Sequence, residues 1–229
     1  VGTLETHYGV TLNALPWLVL MVMQVYRAGL GGPLRWFRLG VAAVAGLLAA
    51  AGLLIAVFPM NPLFARYPDV PGALVRGPTV LDSLALAYAV PGVLLIFGAW
   101  RVRSLPRGLR LGFYGAGAAL VALYIGLEIR RFWQGDWLGI PGVTQAELYT
   151  YTVALMGLGA GLLYQAIVLR SALLRRIAMA VIAVTIAKVF LIDASGLTGL
   201  TRVFSFLGLG LSLAGLAWLN RWAGQVSDK

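Results

Sequence analysis

Of the 229 residues, 60% are hydrophobic and only 11% are charged, too few charged side chains to cover a soluble domain of this size. The formal net charge of +10 suggests nucleic acid, but the arginines fall in short clusters between apolar runs and not along one exposed stripe, which argues against that partner. Zero cysteines exclude disulfides, thiolate catalysis and Cys-based metal centres, and a single histidine, His7, excludes a multi-histidine metal or haem site built from this chain alone.

Apolar runs near or above the length that crosses a bilayer recur along the chain. They predict helices at residues 11–27, 38–58, 79–100, 108–131, 146–170, 174–193 and 199–222. The expected fold is therefore all-α: a polytopic integral membrane helix bundle of about seven transmembrane helices, forming a single transmembrane bundle over 1–229. The first helix is the most polar, with Asn13, Pro16 and Gln24. His7 precedes it and reads as a solvated terminal residue.

Loop charge sets the expected orientation. Arg27, Arg35 and Arg38 follow the first helix, Arg101, Arg103, Arg107 and Arg110 the third, and Arg170, Arg175 and Arg176 the fifth. The opposite loops mix Arg66, Arg76, Arg130, Arg131 and Arg202 with acids such as Asp69 and Asp136. By the positive-inside rule the N-terminus lies outside and the C-terminus in the cytoplasm. The chain starts at Val1 without a recognisable signal peptide, so further helices are expected to precede it. The expected location is the bacterial inner (cytoplasmic) membrane.

Two loops on the outer side are long. Residues 59–78 contain Pro59, Pro62, Pro68, Pro71 and Pro78, which forbids a continuous helix, and residues 132–145 are rich in glycine. Both would lie over the charged residues, where a lid would sit. Small residues spaced four apart at Gly115/Ala119, Gly157/Gly161 and Gly208/Ser212 predict close helix contacts among the fourth to seventh helices.

Charge is rare enough here that each buried instance marks an ion pair or a site. Tyr124, Glu128 and Arg131 stand at i, i+4 and i+7 and share one helix face. Glu147 and Tyr151 share a face at the start of the fifth helix. Lys188 lies five residues before Asp193, about 7–8 Å deeper in an α-helix, and its stem could reach Asp193, Glu128 or Glu147. Arg202 and Ser205 share a face at the start of the seventh helix, and Asp82 opens the third. A salt bridge of Glu128 with Arg131 is the expected use of that pair. An anion-binding cluster of Glu128, Arg130, Arg131, Glu147, Lys188, Asp193 and Arg202, with Asp82, Tyr124, Tyr151 and Ser205 around it, is the alternative to purely structural pairing. No metal or other cofactor is expected. A retinal protein is disfavoured, because the lysine is not on the last helix and no aspartate stands four residues before it.

The same residues carry a resemblance. NPLF at 61–64, LALAYAVPG at 84–92, YIGLEIRRFWQG at 124–135, ELYTYT at 147–152 and AKVFLIDASGLTGLTRVFSFLGLGLSLAG at 187–215 resemble the bacterial membrane-protein family called domain of unknown function 2339, over roughly residues 60–220. Its members are usually longer, so the resemblance implies a C-terminal portion or a short relative. It implies no activity, cofactor or substrate.

Three functions are compatible with these features. The first is binding or transport of an anionic envelope component at the outer cluster. The second is a structural subunit whose charges pair internally and whose partners are the lipid bilayer and other membrane subunits or upstream helices. The third is a membrane enzyme acting on a lipid-linked or glycan substrate, with Glu128, Glu147 or Asp193 as base. Excess positive charge over acids on the outer side favours the first.

Overall fold

A computed structural model describes residues 5–102, 105–193 and 200–227, with the side chains of the last helix described in part. The described residues form seven α-helices: α1 (His7–Gly29), α2 (Arg35–Val57), α3 (Val90–Arg101), α4 (Arg107–Gln134), α5 (Gln145–Val168), α6 (Ala172–Lys188) and α7 (Leu200–Ser227). Two π-helical turns interrupt the pattern, Ala85–Ala89 leading into α3 and Val189–Asp193 following α6. Four segments are long and apolar enough to cross a membrane: His7–Gly29, Arg35–Phe64, Arg107–Gln134 and Gln145–Val168. Shorter apolar helices run over Ala85–Arg101 and Phe206–Trp218. Large apolar side chains stand exposed along α2, α5 and α7, such as Leu47, Val153 and Leu211. Such faces are expected where the surrounding medium is lipid and not water.

The chain divides into two compact units, Val1–Gly142 and Val143–Lys229. In the first, α1 and α2 pack antiparallel, with Ala14 against Gly52 and Met21 against Gly46. α3 runs alongside α1, since Thr11 bonds the Ala87 carbonyl and Val22 packs on Gly98. The core joins Leu18, Met21, Ala49, Leu84, Tyr88, Leu95, Leu120 and Leu127. Tyr88 is fully buried, and its hydroxyl donates to the Ala56 carbonyl at 2.8 Å. A buried phenol needs such an acceptor.

At the end of this unit where α1 begins and α4 stops, the loops between α2 and α3 and after α4 fold into a cap. Prolines allow only a short 3-10 turn, Pro62–Phe64. Val75 N donates to the Asp136 carbonyl, Trp137 Nε1 to the Ala65 carbonyl, and Leu74 pairs with Trp137 in an isolated antiparallel bridge. The opposite end has Arg27, Arg35, Arg38, Arg101, Arg107 and Arg110 at its helix ends and turns.

Several expectations change. α1 starts at His7, not residue 11, because Thr6 caps it by accepting from Gly9 N at 3.1 Å. His7 is not solvated: it is fully buried, shares a hydrogen bond with Ser83 Oγ at 3.1 Å, and stacks at 6.3 Å on Tyr88. The expected small-residue pairs are not where the described helices approach closely. A Cβ on Gly115, Gly157, Gly161 or Gly208 would meet nothing within 4 Å. The close crossing is instead Gly92 on α3 against Gly117 on α4, where added Cβ atoms would lie 2.9 and 2.6 Å from the facing carbonyl oxygens. In the second unit, Gly159 packs against Ile182. Gly117→Leu is therefore expected to destabilise the protein by about 3 kcal/mol, whereas Gly115→Leu, two residues away, stays within about 0.5 kcal/mol. Unfolding of both variants in lipid nanodiscs checks the difference.

Candidate functional site

The charged residues singled out above fall into two groups, one in each unit. In the first, α4 presents Tyr124, Glu128 and Arg131 to one stretch of the cap, as their i, i+4, i+7 spacing requires. Tyr124 donates its hydroxyl to the Val80 carbonyl at 2.8 Å, and Glu128 Oε1 accepts from Val80 N at 2.8 Å. Val80 has φ 75°, a left-handed conformation that a β-branched residue avoids at a cost of about 1–2 kcal/mol. Two α4 side chains thus hold a strained turn by both of its backbone groups.

Arg131 extends the clamp. It donates to Asp82 Oδ2 at 2.8 Å, to Asp136 Oδ1 at 2.8 and 3.0 Å, and to the Gly77 carbonyl at 2.7 Å. The Asp82 side chain is wholly inaccessible to solvent while that of Asp136 is largely exposed, so the Asp82 pair carries most of the electrostatic weight. Asp82 also caps the helix leading to α3, its Oδ1 accepting from Ala85 N at 2.8 Å, as its place before the apolar run predicts. The expected Glu128–Arg131 bridge does not form. Arg131 reaches across to two aspartates instead, and the second oxygen of Glu128 is buried with no hydrogen-bond donor among the described residues. Arg130, on the neighbouring face, gathers the carbonyls of Leu138, Ile140 and Gly142 and so shapes the loop after α4.

The second group belongs to the unit of α5, α6 and α7. Thr144 caps α5 by accepting from Glu147 N at 3.2 Å, half of a capping box that the T-x-x-E spelling at 144–147 announces. Glu147 is fully buried and accepts from the Tyr151 hydroxyl at 3.2 Å. One turn on, Thr152 faces Lys188. The three N–H bonds of the Lys188 ammonium meet three acceptors: Asp193 Oδ1 at 2.7 Å, Thr152 Oγ1 at 2.6 Å and the Leu148 carbonyl at 3.0 Å. Thr152 has a single proton to give, shared between Asp193 Oδ2 at 2.6 Å and the Leu148 carbonyl at 3.1 Å.

The π-helical turn explains this pair. Five residues of α-helix would turn Lys188 and Asp193 about 140° apart, and the pair would not meet. Widening the helix to i→i+5 bonding over Val189–Asp193 stacks positions five apart on one face. Of the three partners weighed from sequence, Lys188 takes Asp193; Thr152 and the Leu148 carbonyl were not foreseen. Arg202 and Ser205 fall within α7, but their side chains lie outside the described residues. Among the described residues no group of His, Asp or Glu is placed to hold a metal ion.

Apolar helices of spanning length, lipid-suited exposed faces and charges gathered into buried networks define a helical membrane protein. A family model described as "Predicted membrane protein (DUF2339)" matches residues 2–222, and the chain belongs to that family. The match includes the first two helices, which sequence resemblance alone left unassigned. Comparison with curated proteins and with solved structures finds no match.

Proposed function

We propose that the chain is a structural module of a membrane assembly, in which scarce charges hold its own helices and loop cap together. The observation that carries this reading is the saturation of Lys188: all three of its donors are used inside its own unit. An ammonium that binds or passes an anion needs a donor left for it. Arg131 supports the same reading, since its guanidinium spends its bonds on Asp82, Asp136 and Gly77. This favours the internally paired alternative over transport of an anionic envelope component and over catalysis by Glu128, Glu147 or Asp193.

In this reading all seven helices cross a bacterial inner membrane, with the N-terminus and the cap outside and the C-terminus in the cytoplasm. The separation of charge in the first unit supports that orientation. The cap end carries Glu5, Asp69, Asp82, Glu128 and Asp136, while the opposite turns carry arginine alone among charged side chains. The partners are the bilayer and helices of other membrane subunits, which would pack on open faces such as that of Gly157 and Gly161.

The test replaces each charged pair by a neutral one in a deletion strain: Lys188→Met with Asp193→Asn, and Arg131→Met with Asp82→Asn. Each double variant is expected to accumulate in the membrane and to relieve the deletion phenotype. A double variant that accumulates normally yet fails to relieve it would show that the charges act on something outside the chain.

A further inference from the structure

Beside the clamped turn, between the start of α1 and the π-helical entry to α3, the first unit holds a cleft of about 520 Å³, within the range of about 300–1,000 Å³ typical of small-ligand sites. Its walls include Leu81, Leu86 and Val90, and Tyr8 and Arg76 supply polar groups. Asp82 borders it too, but the carboxylate is inaccessible and engaged by Arg131 and Ala85 N. Arg76, like Arg66 elsewhere in the cap, is different from Arg130 and Arg131. Arg130 and Arg131 are used up by loop carbonyls and aspartates, whereas the exposed guanidinium of Arg76 has no hydrogen bond or ion pair among the described residues.

We infer that this cleft binds an anionic phospholipid, with an acyl chain against Leu81, Leu86 and Val90 and the phosphate on Arg76. Charge complementarity and place select this occupant. The cleft lies at the cap end of the first unit's apolar helices, which the membrane placement proposed above puts near the passage from hydrocarbon to headgroup. The strained turn held by Tyr124 and Glu128 presents Val80 and Leu81 outward, 59% and 78% exposed. Apolar side chains next to an unpaired guanidinium match a ligand that is itself apolar and anionic. A soluble anion would use Arg76 and leave the apolar walls without a role. The inference rests on the membrane placement proposed above but not on the structural role of the charges, because Arg76 takes no part in either paired network.

The test is native mass spectrometry of the delipidated full chain titrated with dioleoylphosphatidylglycerol or dioleoylphosphatidylcholine. The expected result is one saturable phosphatidylglycerol adduct, preferred over the zwitterionic lipid. Arg76→Gln should weaken it about five-fold, and Arg76→Lys should weaken it less. Arg66→Gln, removing an exposed charge from the same cap outside the cleft, should leave it unchanged. Leu86→Trp should block it by filling the cleft with Arg76 intact. Three results would overturn the inference: equal binding of the two lipids, equal loss in the Arg76 and Arg66 variants, or insensitivity to Leu86→Trp. Displacement by glycerol 3-phosphate would also overturn it, by showing a soluble-phosphate site.

Discussion

Arg131→Met is expected to lower the stability of the folded chain by about 3–5 kcal/mol, the cost of leaving a buried carboxylate without its counter-charge. The loss comes mainly from Asp82, whose side chain is wholly buried, and less from Asp136, which water can solvate. Gly77 loses a donor to its carbonyl as well, so the turn that carries the strained Val80 is released on one side. Adding Asp82→Asn should return most of the loss, because asparagine keeps an acceptor for Ala85 N and carries no charge. Unfolding of the single and double variants in nanodiscs measures this directly. Equal instability of the two would mean that Arg131 acts through the backbone contact to Gly77 and not through Asp82.

Lys188→Met is expected to have an effect of similar size, about 3–5 kcal/mol. It leaves Asp193, which is buried, with the Thr152 hydroxyl in place of a full counter-charge, and it takes a donor from the Leu148 carbonyl. Thr152→Val should cost less, about 1 kcal/mol, since the ion pair survives and one hydroxyl contact at each end is lost. The order of the two effects follows from which group keeps an opposite charge.

Much of the fold is legible in composition and periodicity. Apolar runs locate the helices to within a few residues, the prolines of 59–78 predict the irregular cap, and the spacing of Tyr124, Glu128 and Arg131 places them on one face, where all three meet residues 77–82. Less legible is whatever depends on local departures from α-geometry or on distant partners. Asp193 is among the partners that the sequence offers Lys188, but the π-helical turn that aligns the two is one that no period of 3.6 anticipates. His7 is buried by Ser83 and Tyr88, more than seventy residues away in sequence, and nothing near it in the chain signals that. Gly92 and Gly117 stand out among many glycines only because two backbones cross there. Glu128 looks like the natural mate of Arg131 by spacing, yet a backbone amide on a strained turn claims it.

The measurement that bears most directly on the structural account is a double-mutant cycle on Lys188 and Asp193, read as unfolding free energy in lipid nanodiscs. The account predicts strong non-additivity: Lys188→Met alone is severe, and adding Asp193→Asn recovers at least about 2 kcal/mol. Additive losses, or a Lys188→Met protein as stable as the parent, would contradict it and return Lys188 to the role of a ligand-facing charge.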